Sequence, residues 1–373
     1  MGPPRCWLGL SLSALTTAVA PGMIVPATDD RISYSNGRFF TPAGEPEARF
    51  DWIASQVSLS FSGSGSVSAL LTSRGVFNAS VDGGVPKLLA CGAAERYLLA
   101  SGLDVHSTHN VTLTLRTEAK VSNRTTPLAT TPTKFKGFVL DTRATVLPTA
   151  RKFAGKLVVV GDSITAGWGN TGRCCGKPGA RSEPCAEDGT QSYGAMVGRD
   201  LNLEVHLLAS GGSGFGTGPP SGPKGNKTGV DWTEPSMDRA IFSQLQFDTS
   251  AGATNLSAFI PDYLVINIGT NDSPKLGSSW ETIYVGVLKR LRAAWGAKTW
   301  FLLGCAPWSA YNAEIESVIR IFSDPANRTV HLDWGNFKAV ARGCFAHPSI
   351  AGHRTMADTV IDAIKALPSG GGA

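Results

Sequence analysis

Apolar positions fall into two regimes along this chain. Between about residue 24 and residue 150, short segments alternate apolar with polar residues and are cut by Gly, Ser, Asn and Asp. Gln56–Phe61, Val67–Leu71, Val111–Leu115 and Gly137–Leu140 are examples. A period of two over so few residues is the pattern of a strand with one buried face. Many such strands with few helical stretches predict an all-β sandwich over 24–150. Leu147-Pro148-Thr149-Ala150 reads as the linker that closes it.

From residue 156 onward the period changes. Lys156–Val160, Glu204–Leu208, Tyr263–Ile268, Thr299–Leu303 and Thr329–Leu332 read as strands, the first of them β-branched and apolar. Gln191–Leu201, Trp280–Trp295, Asn312–Phe322 and Ile350–Leu367 read as helices between or after them. Alternation of this kind predicts a parallel sheet covered on both faces, over residues 155–368. Ligands of such sheets sit beyond the carboxyl ends of the strands. Two long loops leave from those ends, Asn170–Thr190 and Gly214–Val230, and are expected to shape the cleft.

Four segments at those strand ends supply the groups an acyl transfer needs. Gly161-Asp162-Ser163-Ile164-Thr165 follows the first strand and offers a serine at a helix start. Its N–H points where negative charge is favoured, although a serine there can equally be a cap. It is not the G-x-S-x-G elbow, because Thr165 stands where the last glycine would be. Gly211, Gly212, Ser213, Gly214 and Gly216 follow the second strand, and Gly212 or Gly214 is expected to donate one N–H to an oxyanion. Asn267-Ile268-Gly269-Thr270-Asn271-Asp272 follows the third, and the Asn271 amide is the side-chain donor to the same oxyanion, in preference to an Asx turn. His347, before Pro348 at the start of the last helix, is the general base that takes the Ser163 proton. His353 is its one serious rival; His106, His109, His206 and His331 lie in or beside β segments and read as structural or exposed. No carboxylate precedes His347 in Gly343-Cys344-Phe345-Ala346. A backbone carbonyl is left to orient the imidazole, with Asp358 and Asp333 as distant acids.

Composition adds the setting. The 373 residues are 42% hydrophobic and 17% charged, with 43 Gly and 22 Pro, so turns are plentiful. The net charge of +5 is scattered, and no basic run or basic–aromatic interleaving points to nucleic acid. Residues 1–20 read as a signal peptide: Arg5 is its basic start, Cys6–Ala20 its apolar stretch, and Ala18-Val19-Ala20 its cleavage site. The expected location is therefore extracellular, with no membrane span. Asn78, Asn110, Asn123, Asn226, Asn255 and Asn327 each head a glycosylation triplet, as does Asn271, which is expected inside the site and unmodified. Beyond Cys6, six cysteines remain: Cys91, Cys174, Cys175, Cys185, Cys305 and Cys344. An even number in an exported chain suggests disulfides. The expected pairs are Cys305 with Cys344, at one end of the sheet, and Cys174 or Cys175 with Cys185. No zinc spacing is present, so neither metal nor organic cofactor is expected.

The four ordered segments resemble the blocks of the SGNH (GDSL-type) hydrolases. The wider context is similar to carbohydrate esterase family 2. Phe50-Asp51-Trp52, the turn at Phe61–Gly63, Arg116-Thr117-Glu118, the run Gly161–Asn170, and Gly343-Cys344 followed by His347-Pro348-Ser349 carry that likeness. The resemblance implies an α/β chain: a jelly-roll-like β-sandwich followed by a three-layer α/β/α SGNH domain. It implies Ser163 and His347 as catalytic residues, and Ser163, Gly212 or Gly214, and Asn271 as the oxyanion hole. The implied function is a secreted, monomeric serine acetylesterase acting on an acetylated polysaccharide such as xylan or mannan, without cofactor. Trp168 and Trp308 are the expected sugar-stacking residues. An SGNH lipase, thioesterase or aryl-esterase is the alternative within enzymes, and a carbohydrate-binding protein with an idle site is the alternative outside them. The family often carries Asp two residues before the His, where this chain has Phe345.

Overall fold

In the computed structural model, residues 22–92, 95–118, 120–123, 126–130, 132–149, 151–172, 186–216, 236–246, 248–272, 276–305, 313–334 and 341–368 are described. The expected signal peptide 1–20, Cys174, Cys175, Cys185, Asn226 and Trp308 lie outside them.

Antiparallel pairing accounts for the first regime. One sheet runs in the order Met23–Pro26, Thr133–Leu140, Ser66–Thr72, Arg96–Ser101, with Ala48–Phe50 also on Thr133–Leu140. A second runs Thr145–Leu147, Gln56–Ser62, His109–Leu115, Val76–Val81, Lys87–Ala90, with Ser33–Ser35 on Gln56–Ser62, and Lys120–Asn123 pairs with Thr126–Thr130 as a separate hairpin. Alternation sets which side chains meet between the sheets. In His109–Leu115, Val111, Leu113 and Leu115 are wholly buried, while Asn110, Thr112 and Thr114 face outward. Phe50, Phe61, Phe77, Phe135 and Phe138 fill the space between.

The second regime is a five-stranded, all-parallel sheet. Taken in chain order, its strands are Gly155–Gly161, Leu203–Ala209, Tyr263–Asn267, Trp300–Gly304 and Thr329–His331, and the described α-helices are α1 (Ser163–Ala166), α2 (Tyr193–Asp200), α3 (Met237–Ala240), α4 (Ser278–Trp295), α5 (Glu314–Phe322) and α6 (Ile350–Ala366). In space the strands run second, first, third, fourth, fifth. The chain therefore reverses direction across the sheet at the first strand, and a crevice opens there at the carboxyl ends. Period-two parity sends alternate residues of one strand into two cores. Val158 and Val160 pack with Trp280, Tyr284 and Leu288 of helix α4 (Ser278–Trp295). Leu157 and Val159 pack with Tyr193 and Val197 of α2 (Tyr193–Asp200) and Val360 and Ile364 of α6 (Ile350–Ala366). The helix expected over Gln191–Leu201 starts later, because Asp188 caps a 3-10 turn at Gly189–Gln191 first and Ser192 is extended.

The sandwich is fastened to the parallel domain by side chains that a strand pattern does not mark. Trp52 is buried within the α4 core and donates Nε1–H to the Gln244 carbonyl at 3.1 Å. Asp51 Oδ1 accepts the Gln246 N–H at 2.9 Å. Arg38, buried, donates to the carbonyls of Ile241 at 2.8 Å and Ser243 at 2.7 Å. Burial holds its guanidinium down to about 9, with Asp51 offsetting part of the effect. Ile53 and Ala54 join the α2–α6 core. Asn78 spends its amide across the same junction, donating to Thr190 Oγ1 at 2.9 Å, and Asn110 donates to Ser60 Oγ at 2.9 Å.

The expected Cys305–Cys344 pair is not formed. Cys344 is disulfide-bonded, whereas Cys305 is not part of a disulfide. Cys305 continues the parity of Phe301 and Leu303 into the α4 core, away from the crevice where Cys344 stands beside Gly169.

Candidate active site

The first strand ends in a turn built around Gly161, where a Cβ would come within 1.9 Å of Thr165 Oγ1. Asp162 then caps the short helix α1 (Ser163–Ala166), its carboxylate accepting the Ile164 N–H at 2.9 Å. Burial pushes the Asp162 carboxyl up to about 7, a rise to which Asp272 adds. Ser163, at the first helical position, turns its Oγ toward His347 Nε2 at 2.7 Å.

His347 is oriented by backbone. Its Nδ1 lies 2.9 Å from the Phe345 carbonyl. A carbonyl oxygen accepts only, so Nδ1 carries the proton and Nε2 is left as the acceptor for the Ser163 hydroxyl. The carbonyl reaches that point because Phe345 (φ 56°, ψ 35°) and Ala346 (φ 62°) are both left-handed. Two consecutive non-glycine residues there cost of order 1–3 kcal/mol each, so the surroundings must hold them. They do so from the nucleophile loop and from within the histidine loop itself. Gly169 O accepts the Cys344 N–H at 2.8 Å, and Gly343 N–H returns to the His347 carbonyl at 2.8 Å. Gly169 itself has φ +72°, and a Cβ there would meet Cys344 O at 2.3 Å. Asn170 O accepts the Ile350 N–H at 2.9 Å, which pins the start of α6 to the same loop.

The distant acids do not serve His347. Asp358 pairs with Arg354 at 2.7 Å on the outer face of α6, and Asp333 is exposed. His353 is fully buried, and its Nδ1 accepts the Tyr193 N–H at 3.1 Å. Burial, with His347 nearby, drives it down to about 3, so it stays a neutral core histidine. His109 bridges Asp82 and the Asp104 carbonyl in the sandwich, and His206 stacks on Phe259 at 3.6 Å between centroids.

The glycine segment and Asn271 converge on the same crevice. A Cβ on Gly211 would stand 3.6 Å from Ser163 Cβ. Gly212, next along, is left-handed at φ +83°. Gly214 is turned to Asp272 instead: a Cβ there would meet that carboxylate at 2.4 Å, and its carbonyl takes the Met237 N–H. Asn271 Nδ2 donates to the Ser213 carbonyl at 3.0 Å and stands 3.4 Å from Asp162 Oδ2. Trp168 packs edge-on against His347, with centroids 5.5 Å apart, and against Phe345 at 5.2 Å. Much of that ring is therefore committed to holding the histidine.

Two carboxylates beside the site, both within strings already singled out, have roles that sequence reasoning did not assign. Asp272 Oδ2 accepts the Phe215 N–H and the Trp280 Nε1–H, both at 3.0 Å, and so props the glycine segment. Its place next to Asn271 was the available signal. Glu118, at the edge of the sandwich, accepts the Gly211 N–H at 2.8 Å, and no local pattern marks that reach. Among the described residues, no group of three His, Cys, Asp or Glu side chains is placed to hold a metal, and no helix is long and apolar enough to cross a membrane.

Burial lowers the His347 pKa below the ordinary value of 6.5, and the Phe345 carbonyl offsets part of that. The neutral ring is the base. A lowered pKa keeps that form present to lower pH, and it is lost only as pH falls through the lowered value. A pH profile of kcat/KM should therefore rise to a plateau with its acidic midpoint below 6.5. A midpoint at or above that value would show that the ring is not desolvated as found here.

A serine and a histidine bonded at the switch point of a parallel sheet, with glycine and asparagine donors beside them, define an SGNH-type hydrolase, a class that cleaves carboxylic esters. The description "GDSL-like Lipase/Acylhydrolase family" matches residues 159–355, more than half of the chain, and "Carbohydrate esterase 2 N-terminal" matches residues 35–149. The chain belongs to the GDSL-like lipase/acylhydrolase family. It is 27% identical over 345 residues to the cellulase/esterase CelE of Acetivibrio thermocellus, covering 88% of this chain and 39% of that protein. The chain thus spans well under half of that relative's length. A family two carbohydrate esterase from Clostridium thermocellum, solved with cellohexaose, superposes with a TM-score of 0.71 at 25% identity, covering 90% of this chain and 98% of that one. A family two carbohydrate esterase from Cellvibrio japonicus shares the fold, with a TM-score of 0.73 at 18% identity, over 92% and 97% of the two chains.

Proposed function

We propose that this chain is a secreted serine acetylesterase that removes O-acetyl groups from a polysaccharide such as acetylated xylan or mannan. The observation that carries the reading is the 2.7 Å contact of Ser163 Oγ with a His347 whose other nitrogen is fixed on a carbonyl. In the proposed reaction, Ser163 Oγ attacks the acetyl carbonyl carbon and His347 Nε2 takes its proton. The tetrahedral oxyanion is held by the Ser163 N–H, the Asn271 amide and one glycine N–H. Of the two glycines, Gly212 is preferred, since it follows the residue packed on Ser163, while Gly214 is turned to Asp272. As the intermediate collapses, the proton passes to the leaving sugar oxygen. Water, deprotonated by the same nitrogen, then releases acetate and regenerates Ser163. The working unit is proposed to be a monomer.

The carbohydrate part of the proposal draws on two relatives: CelE by its name, and the Clostridium thermocellum esterase by its bound cellohexaose. Trp168 can offer a sugar only the part of its ring not packed on Phe345 and His347. The test is acetate release from acetylated xylan, acetylated mannan and a short aryl acetate. Release from a polysaccharide supports the whole reading. Turnover of the aryl acetate alone would keep the serine chemistry and remove the polysaccharide, favouring an aryl-esterase or lipase. Polysaccharide binding with no turnover of any ester would favour a binding protein with an idle site.

A further inference from the structure

The sandwich reaches the reaction centre through three consecutive residues, Arg116-Thr117-Glu118. Thr117 anchors them in its own domain, its Oγ1 accepting the Val76 N–H at 3.1 Å. Glu118 leans across to the glycine segment, where Oε1 accepts the Gly211 N–H at 2.8 Å. Its second oxygen lies 2.9 Å from where a Gly211 Cβ would be, and that point is 3.6 Å from Ser163 Cβ. Glu118 is itself buried, and its own N–H donates to Glu187 Oε1 at 3.2 Å.

Arg116 holds the other wall. It pairs with Asp188 at 3.2 Å, donates Nε–H to the Glu187 carbonyl at 3.0 Å, and accepts the Gly189 N–H on its own carbonyl at 2.8 Å. Asp188 exchanges two hydrogen bonds with Asn170, at 2.8 and 3.0 Å. Asn170 in turn bonds the start of α6, next to His347. One tripeptide thus fixes the glycine segment on one side of Ser163 and the histidine loop on the other.

From this we infer that Glu118 is a positioning residue for the ester-hydrolysis site, supplied by the sandwich domain, and that its carboxylate sets the place of the Gly211–Gly212 backbone relative to Ser163. The inference rests on the proposed ester hydrolysis. With Gly211 N–H bonded to Glu118, the donor left for an oxyanion is the following N–H, and its aim depends on where Gly211 is held. A donor misplaced by about 1 Å can cost on the order of 100-fold in rate, while a substrate bound mainly through other contacts keeps its affinity.

The experiment compares Glu118→Ala, Glu118→Gln and the wild-type full chain on a short aryl acetate, with thermal unfolding as a fold check. Glu118→Ala is expected to lower kcat by about 10- to 100-fold with KM within about twofold. Glu118→Gln keeps an acceptor oxygen and should recover most of the loss. Wild-type kcat in Glu118→Ala overturns the inference, as does a loss confined to KM. A Gln variant as poor as the Ala variant also overturns it, since the acceptor would then not be what matters. Should the Ala variant fail to fold, Gly211→Ala presses a methyl against Glu118 Oε2 and should give the same kcat loss. Amide hydrogen exchange across 210–216 reads the contact without turnover. Faster exchange in Glu118→Ala, with wild-type protection in Glu118→Gln, supports the inference; unchanged exchange overturns it. A wild-type chain that hydrolyses no ester would sink the functional reading, and the exchange result would still decide the Glu118 contact.

Discussion

Ser163→Ala is expected to lower kcat by about 10⁴- to 10⁶-fold while leaving KM and the unfolding midpoint close to wild type. The size follows from what is removed. Without the hydroxyl no acyl-enzyme forms, and His347 has no proton to take from the protein. The oxyanion donors remain, which leaves a residual rate above that of water alone. Stability should barely move, because the change deletes a single, part-buried hydrogen bond. Acetate release under conditions that saturate the wild type is the measurement. A variant within tenfold of wild type would mean that Ser163 is not the nucleophile, and that water or another side chain attacks.

Asn271→Ala carries the second-largest expected effect, about 10²- to 10³-fold in kcat, or roughly 3–4 kcal/mol. One N–H of its amide is spent on the Ser213 carbonyl at 3.0 Å, which fixes the plane of the group. The other makes only a long contact, 3.4 Å, with Asp162 Oδ2, and a nearer, charged oxyanion would compete for it. The ground-state carbonyl needs that donor little, so KM should change by less than about threefold. Comparing kcat with KM decides the role. A loss carried by KM would assign Asn271 to substrate binding instead.

Much of this site could be read before any coordinates, and the reason is that its parts are local. Ser163 and Asn271 each follow directly on an apolar strand, so strand–helix alternation alone carries them to one end of the sheet. His347 was separable from His353 by position, and burial then removed the rival. What stayed illegible depends on backbone conformation or on distance across the chain. Nothing in Gly343-Cys344-Phe345-Ala346 says that Phe345 turns left-handed and lends its carbonyl to His347. Glu118 acts on a glycine 93 residues further along, from a different domain. Trp52 and Arg38 likewise look like sandwich residues until the segment they clasp is in place. The expected Cys305–Cys344 pair failed for a reason the sequence did contain. Cys305 shares the parity of Phe301 and Leu303, not of Leu302, and that parity already sends it to the α4 side.

The orienter of His347 belongs to the main chain, and that changes what mutation can reach. A carboxylate in that role can be lost through a single substitution at its own position. A carbonyl is present whatever side chain residue 345 carries. Drift at position 345 can therefore alter the packing against Trp168 without deleting the acceptor. The vulnerability moves to residues that shape the path of the chain. Gly169 and Gly343 lie so close that a Cβ on Gly343 would meet Gly169 O at 2.1 Å. For this chain, heritable loss of the histidine's orientation has its targets at two glycines that bond neither nitrogen of the ring.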